Sequence, residues 1–290
     1  MPGPLVENAM KAFNNVAIVG VGLIGGSIGL ALRERELAKD VVGIGRRQES
    51  LRTARRVGAV THTSTSLEKG VSEAELVVVC TPVGRIVEDV RRVAEFCPEG
   101  TLITDAGSTK RTIVEQLDAG LPRGCRFLGS HPMAGGEKTG PAHASADLFH
   151  GRVTVLTPTL NTQAKDYDLL EQFWIHLGSI VLRMAAEEHD RVVALTSHMP
   201  HVVAAALAAS LSEDTFRLVG TGLMDMTRIA SGSTDIWKPI FAQNRDNIVA
   251  ALGQFSQRLS ALRAAIATDD EVEMERILTL AKKNRDALGS

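Results

Sequence analysis

The chain of 290 residues carries 32 basic and 34 acidic side chains, a formal net charge of −2 at pH 7. This balance gives no electrostatic reason to expect a nucleic acid or a membrane surface as a partner. Hydrophobic residues make up 44% and charged residues 23% of the chain, as in globular proteins, and the length suits two domains. Cys80, Cys97 and Cys125 show no metal-ligand spacing, and no signal-peptide pattern is present, so we expect a cytoplasmic protein.

Residues Val16 to Ser27, VAIVGVGLIGGS, predict the first strand, a tight turn and the start of a helix. The glycines form G-x-G-x-x-G directly after the apolar run, the context expected of a dinucleotide-binding loop. The first glycine permits the turn, the second lets a pyrophosphate approach the backbone, and the third allows close helix–strand packing. The alternative is a glycine-rich turn that binds nothing. We assign pyrophosphate binding to Gly20, Gly22, Leu23, Ile24 and Gly25.

Strand and helix patterns alternate as far as Met184. Further strands are predicted at 40–45, 74–82, up to Asp105, into the loop around His131, at 152–158 and at 179–184. Helices are predicted between them at 49–59, 85–96, 109–117 and 164–177. This alternation predicts a Rossmann-type, doubly wound parallel sheet.

From Ala185 onward the strand patterns stop, and long helical patterns follow at 189–212, 246–268 and 271–288. Their apolar stripes are broad, and a helical domain this small usually needs a partner to cover them. We therefore predict a dinucleotide-binding domain over 1–184 and an all-α substrate and dimerisation domain over 185–290, in a homodimer.

The end of the second predicted strand bears on the choice of cofactor. A carboxylate there would accept hydrogen bonds from the ribose 2′-hydroxyl of NAD, but the sequence is Gly45-Arg46-Arg47. A guanidinium can hold a 2′-phosphate through paired hydrogen bonds, so NADP is favoured over NAD. The alternative is a solvated basic turn. Thr81 and Pro82, at the end of the next apolar strand, complete the predicted cofactor site.

His131 follows a predicted strand inside GSHPMAGGEKTG, where glycines and a proline shape the loop. An imidazole can take a hydroxyl proton near neutral pH while hydride leaves the adjacent carbon. The alternative is that His131 has no catalytic role. Ser108, in DAGSTK, could hydrogen-bond that histidine or the reacting hydroxyl, or could cap a helix.

The helical region adds candidates of its own. His198 and His201 lie three apart on one helical face, with His189 and Asp190 upstream, but H-E-x-x-H is absent and we predict no metal site. Arg228 lies among apolar neighbours and is either paired structurally or available to an anionic substrate. Trp237 is one of two tryptophans, and serves either as core packing or as a pocket wall.

Taken together, these motifs carry a family resemblance. In order, the chain contains GVGLIGGS, CTP, D-x-G-S-x-K, GSHPMAG-x-E-K-x-G, LTPT, HD, SHMPH, D-x-T-R-I-A and a tryptophan nine residues after that arginine. The whole resembles the prephenate and arogenate dehydrogenases of tyrosine biosynthesis, over nearly the entire chain. GSHPMAG combined with SHMPH and TRIA is specific to this resemblance, whereas the glycine loop alone is not.

The resemblance implies an NAD(P)-dependent oxidative decarboxylation that makes the substrate ring aromatic. His131 would accept the hydroxyl proton and Ser108 would orient it. Arg228 and His201 would hold substrate carboxylates, and Trp237 would line the pocket. These are roles implied by analogy with the family.

The resemblance also matches Glu137 and Asp190 to family acids that form an ionic network near the entrance of the site. Two departures from the family pattern matter. The acid usual in NAD-preferring members is missing after the second strand, and we expect no regulatory or mutase domain beside the two predicted domains. Any feedback inhibition by tyrosine is therefore expected to act in the substrate pocket.

Two other functions remain open at this point. A β-hydroxyacid dehydrogenase shares a glycine-loop domain followed by helices, but usually places a lysine general acid on the first long helix. Here that helix carries His198 and His201 and no lysine. A non-catalytic dimer that senses NADP is the other alternative, although a sensor would not need the histidine, arginine and tryptophan set.

Overall fold

The computed structural model describes residues 11–136 and 138–289. These residues build an eight-stranded sheet with helices on both faces, followed by a helical region. The strands are β1 Phe13–Val19, β2 Ala38–Ile44, β3 His62–Ser64, β4 Leu76–Val79, β5 Leu102–Asp105, β6 Arg126–Pro132, β7 Val153–Thr157 and β8 Ile180–Arg183.

The α-helices that accompany the sheet are α1 Leu23–Glu34, α2 Gln48–Arg56, α3 Leu67–Val71, α4 Ile86–Phe96, α5 Arg111–Leu117 and α6 Ala164–His176. The helices after β8 are α7 Ala186–Val193, α8 Met199–Ala209, α9 Thr221–Thr227, α10 Thr234–Gln243, α11 Arg245–Ala267 and α12 Glu271–Ala287. Short 3₁₀ turns connect several of these elements.

The strand order is β3-β2-β1-β4-β5-β6-β7-β8, and the first six strands are parallel. The predicted Rossmann-type sheet followed by helices is thereby confirmed. A wholly parallel sheet, however, is wrong: β7 runs antiparallel to β6, and β8 is parallel to β7. A parallel connection needs a crossover, usually through a helix, whereas the loop between β6 and β7 contains only the 3₁₀ turn Pro141–His143 in its described part.

Strand β3 and helix α3 were not predicted. Strand β3 is the polar tripeptide His-Thr-Ser at the sheet edge, so it shows no apolar alternation. Helix α3 is five residues long and approaches β2 closely at Gly70, where an added Cβ would lie 2.5 Å from Cγ1 of Ile44. Elements this short depend on the neighbouring strand and carry little periodic signal of their own.

Two apolar layers form the core, one on each side of the sheet. The first includes Ile28 and Leu32 of α1 with Trp174 of α6, all fully buried. The second includes Val90 of α4 and Ile113 of α5. Strand β4 lies between the layers, and its sequence Leu-Val-Val-Val is buried at every position, as expected of a central parallel strand.

Helices α7 and α8 join into one continuous segment through a π-helical turn at Ala194–His198. Pro200 explains the turn, because its ring has no N–H and would clash with the carbonyl four residues earlier in a regular helix. Among the described residues, the segment Ala186–Ala209 is the one helix with the length and apolar composition of a membrane span. Core helices of globular proteins meet the same criteria, and this one buries His189, Asp190 and His198.

Helix α1 packs so tightly against the segment between α2 and β3 that Gly29 tolerates no side chain. An added Cβ at Gly29 would lie 2.1 Å from the carbonyl oxygen of Ala59. We expect Gly29→Ala to lower the free energy of unfolding by about 1–3 kcal/mol, the usual cost of overpacking. Urea unfolding at fixed protein concentration measures the change.

Gly253→Ala in α11 is the matched control, because an added Cβ there meets no atom within 4 Å. It should leave stability unchanged or raise it by up to about 1 kcal/mol, the helix preference of alanine over glycine. Equal effects of the two substitutions would show that close packing at Gly29 is not the cause.

Candidate active site

A cleft of about 1040 Å³ opens at the carboxyl ends of β1, β2, β4 and β5, where ligands bind in open parallel sheets. From the sequence-predicted set, its lining contains Gly20, Gly22, Leu23, Ile24, Arg46, Arg47, Thr81, Pro82 and Ser108. Helix α10 closes one side through Ile236 and Ile240. Residues far apart along the chain are thus collected at one edge of the sheet.

The glycines of the loop have the geometry that a dinucleotide requires. Gly20 has φ +97°, a left-handed conformation that favours glycine, and Gly25 lies behind the cleft, where an added Cβ would be 2.2 Å from the carbonyl oxygen of Gly20. Gly22 faces open space, with nothing within 4 Å of an added Cβ, and helix α1 starts at Leu23 directly after it. The loop therefore leaves room for a pyrophosphate at a helix N-terminus.

The lining of the cleft is basic. Arg46 and Arg47 are exposed at the end of β2, and Arg85, Arg92 and Lys138 also line the cleft. Within the described lining, Asp89 is the acidic member, and it is held by Arg85 at 3.0 Å. This excess of positive charge suits an anionic ligand.

His131 lies at the end of β6, just outside this lining, and is 8% exposed. Its Nδ1 is 2.8 Å from Nε2 of His189, and Nδ1 of His189 is 2.8 Å from Oδ1 of Asp190. Asp190 in turn accepts hydrogen bonds from the backbone N–H groups of Lys110 at 2.8 Å and Arg111 at 3.0 Å. A buried chain of groups thus runs from His131 to the start of α5.

The pKa of His131 is lowered well below 6.5, chiefly by burial and further by the neighbouring His189, Lys110 and His198. The ammonium group of Lys110 is buried and pairs with the carboxylate of Asp105. With a lowered pKa, the His131 ring is neutral at pH 7 and able to accept a proton.

Ser108 is partly exposed in the cleft. The hydrogen-bond partner found at Nδ1 of His131 is His189 and not Ser108. The alternative interpretation of Ser108 as a helix cap is wrong, because α5 begins at Arg111 with Lys110 as its N-cap residue and Asp190 accepts its first N–H groups. Ser108 is therefore left facing the cleft.

His201 and Trp237 form a stacked pair, with ring centroids 3.6 Å apart and planes inclined by 13°. Burial lowers the pKa of His201, and it lowers that of His198 to about 4. His201 Nδ1 is buried and lacks a hydrogen-bond partner among the described residues. Trp237 also packs against the second core layer and is not part of the cleft lining, so its role as a pocket wall stays a prediction.

The remaining sequence-predicted residues divide into three cases. Arg228 is exposed at the start of the 3₁₀ turn Arg228–Ser231, which packs beside α8. Glu137 lies outside the described residues. The expected position of Asp190 near the entrance is wrong: the residue is 1% exposed, and its carboxylate bonds His189 and the start of α5.

His189 is the residue whose place the sequence did not predict. The sequence suggests His189 only as a possible metal ligand, whereas the residue links His131 to Asp190. Across residues 11–136 and 138–289, no group of three or more His, Cys, Asp or Glu side chains is placed to hold a metal ion. A histidine and an acid adjacent on a helix were the available signal, but a helix alone does not show what they face.

Comparison with known proteins finds a matching family model for each of the two parts of the chain. The model of the prephenate dehydrogenase nucleotide-binding domain matches residues 28–183, and that of the prephenate dehydrogenase dimerization domain matches residues 185–280. The chain is 34% identical to prephenate dehydrogenase of Bacillus subtilis (97% of this chain, 77% of that protein). It is 32% identical to cyclohexadienyl dehydrogenase of Zymomonas mobilis, over 90% of this chain and 91% of that protein.

Among solved structures, the fold is similar to that of prephenate dehydrogenase from A. aeolicus in complex with hydroxyphenyl propionate and NAD⁺. The TM-score is 0.88 at 32% identity, and the match covers 96% of this chain and 99% of the other. With both domain models matched and these similarities along nearly its full length, the chain belongs to the prephenate dehydrogenase family.

Proposed function

We propose that this chain oxidises the ring hydroxyl of prephenate or arogenate with a nicotinamide cofactor and releases the ring carboxylate as CO₂, as a cytoplasmic step of tyrosine biosynthesis. The observation that carries this proposal is the buried His131, neutral at pH 7, at the end of β6 beside the cofactor cleft. The names of the related enzymes support the same reaction.

In this reaction the side chains of the protein have to accept and return one proton. His131 takes the proton of the ring hydroxyl while a hydride leaves the ring carbon that bears this hydroxyl. That carbon thereby becomes the carbonyl carbon of a ketone. The ketone is conjugated to the carbon that carries the carboxylate, so the electron pair of the breaking C–C bond moves into the ring. The ring oxygen then recovers its proton from His131, and no proton is gained or lost overall.

We propose that the substrate is held between the sheet and the helices. His201 and Arg228 would hold its carboxylates, Trp237 would line the pocket, and Ser108, which faces the cleft, would orient the hydroxyl. With its lowered pKa, His201 would act as a neutral hydrogen-bond donor. We keep Glu137 as a further substrate-side candidate, and assign Asp190 to support of the histidines instead.

Two observations support the binding of a dinucleotide in the cleft. Gly22 leaves open space where a pyrophosphate would approach, and Oγ1 of Thr81 is buried without a hydrogen-bond partner among the described residues, available to a ribose. A bound nicotinamide ring would accept the hydride. We propose NADP as the preferred form, because Arg46 and Arg47 stand where a carboxylate would favour NAD.

Two further proposals concern partners. Exposed apolar side chains on the C-terminal helices, including Leu259, Ile266 and Val272, suit a homodimer, in agreement with the matched dimerization domain. Tyrosine, which shares the side chain of arogenate and the ring of the product, would inhibit by competing in the substrate pocket.

The decisive experiment measures reduced-cofactor formation with prephenate and with arogenate, each with NAD⁺ and with NADP⁺. We expect turnover of one or both substrates, with the higher kcat/KM for NADP⁺. Absence of turnover in all four combinations would contradict the proposed function.

Replacement of the proposed base gives the second prediction. His131→Asn should lower kcat by roughly 10²–10⁴-fold, the usual contribution of general acid–base catalysis, and leave the cofactor Kd unchanged. In the unchanged protein the acid limb of kcat/KM should lie below pH 6.5, because the lowered pKa keeps the base form down to that pH. His62→Asn, at a mostly exposed histidine outside the cleft, is the control. An unaltered kcat in His131→Asn would remove this residue from the mechanism.

The cofactor proposal is tested by Arg46→Ala combined with Arg47→Ala. Hydrogen bonds to charged groups contribute about 1.5–3 kcal/mol, so we expect the KM for NADP⁺ to rise roughly 10- to 150-fold while that for NAD⁺ changes little. The matched control is Arg55→Ala with Arg56→Ala, which removes the same charge from helix α2 away from the cleft. Equal losses for both cofactors would show that these arginines do not contact the 2′-phosphate.

A further inference from the structure

We propose that His189 and Asp190 are positioning residues that hold His131 in one tautomer, with its proton on Nδ1 and its bare Nε2 directed to the substrate hydroxyl. The role given to that bare nitrogen rests on the proposed function. The tautomer itself follows from the hydrogen bonds between these three side chains, and it can be observed without any substrate.

The argument starts at Asp190, whose carboxylate oxygens both accept backbone hydrogen bonds, from Lys110 at 2.8 Å and from Arg111 at 3.0 Å. An ionised carboxylate has only acceptors to offer. Nδ1 of His189, at 2.8 Å from Oδ1 of the same carboxylate, must therefore be the donor. The proton of His189 is thereby assigned to Nδ1.

The same reasoning carries one step further along the chain of groups. In the proposed arrangement His189 carries one proton, on Nδ1, so its Nε2 is bare and can only accept a hydrogen bond. Nε2 of His189 lies 2.8 Å from Nδ1 of His131, so His131 must donate from Nδ1. This leaves Nε2 of His131 as the nitrogen that can accept a proton.

The surroundings prevent the chain of groups from rearranging. Asn244, which is 3% exposed, donates from Nδ2 to the backbone oxygen of Asp190 at 2.7 Å and lies 3.1 Å from Nδ1 of His198. His131 and His189 are 8% and 1% exposed, so water does not compete for the two ring nitrogens that join them. Asp190 is thus held through both its side chain and its backbone.

During the reaction the arrangement also stabilises the charge that His131 acquires. Once the ring hydroxyl has passed its proton to Nε2, the imidazolium keeps donating from Nδ1 to His189, with the Asp190 carboxylate one residue further on. The other charged or titratable groups near His131 are Lys110, which pairs with Asp105, and His198. During the proposed cycle the proton moves from the ring oxygen to Nε2 of His131 and back, so that His131 ends as it began.

The test is the tautomer of His131 in the whole, unliganded protein. Protein labelled with ¹⁵N-histidine gives long-range ¹H–¹⁵N spectra in which protonated and bare ring nitrogens are distinct, and His131→Asn identifies the signals of His131. We expect a protonated Nδ1 and a bare Nε2. A protonated Nε2, alone or in a doubly protonated ring at pH 7, would overturn the proposal.

Variants at the middle position connect the tautomer with turnover. His189→Leu removes the acceptor and should give a mixture of tautomers at His131, with kcat lower by roughly 10²–10⁴-fold and KM within about threefold, since a wrongly held tautomer costs up to about 10⁴-fold in other enzymes. His189→Gln offers an amide oxygen to Nδ1 of His131 and an amide N–H to Asp190, and should restore the tautomer and recover roughly tenfold or more of the lost kcat.

His176→Leu, at a histidine that bonds its own helix, is the matched control for loss of an imidazole. Should His189→Leu keep the tautomer and the kcat of the unchanged protein, His189 is not a positioning residue. If His189→Leu fails to fold, the spectrum of the unchanged protein still decides the tautomer. Should neither substrate be turned over, the proposed function fails, while the tautomer stands or falls on the spectrum alone.

Discussion

The structure depends on one buried carboxylate, that of Asp190, which joins the helical region to the sheet. Moving a carboxylate out of water costs several kcal/mol, and the cost is offset only by hydrogen bonds of good geometry. Asp190 receives such bonds from Lys110 and Arg111 at the start of α5 and from His189 beside it. The positive end of the α5 backbone favours negative charge there. As a consequence, α7 is held in the register that places His189 against His131.

In the proposed site, the two parts of the chain would supply different halves. The sheet provides the loop of Gly20 and Gly22 and the basic end at Arg46, where only backbone shape and positive charge are needed. The helices provide the stacked His201 and Trp237 and the wall formed by α10. The π turn at Ala194–His198 lies between His189 and His201 and changes the helical spacing between these two residues. Such turns are frequent at functional sites.

Burial determines the protonation of three histidines. The pKa values of His131, His198 and His201 are all lowered, with loss of solvation as the largest cause. Neutral imidazoles in a poorly solvated site can accept a proton or donate a hydrogen bond without first losing a charge. The same burial makes the hydrogen bond between His131 and His189 costly to lose, because no water can substitute for a missing partner.

The sequence alone determined the elements whose signal is local. Glycine spacing after an apolar run located the loop, alternating patterns predicted most strands and helices, and motifs spread along the chain indicated the family and singled out His131. What it did not determine depends on contacts between distant segments. The direction of β7 follows from a return loop whose described part holds no crossover helix, and β3 forms only because β2 lies beside it. Asp190 and His189 are adjacent on one helix, and only the packing of α7 against α5 and β6 shows that one anchors the helix while the other meets His131. Hydrogen-bond partners from separate segments have no periodicity in sequence, so tertiary structure alone decides them.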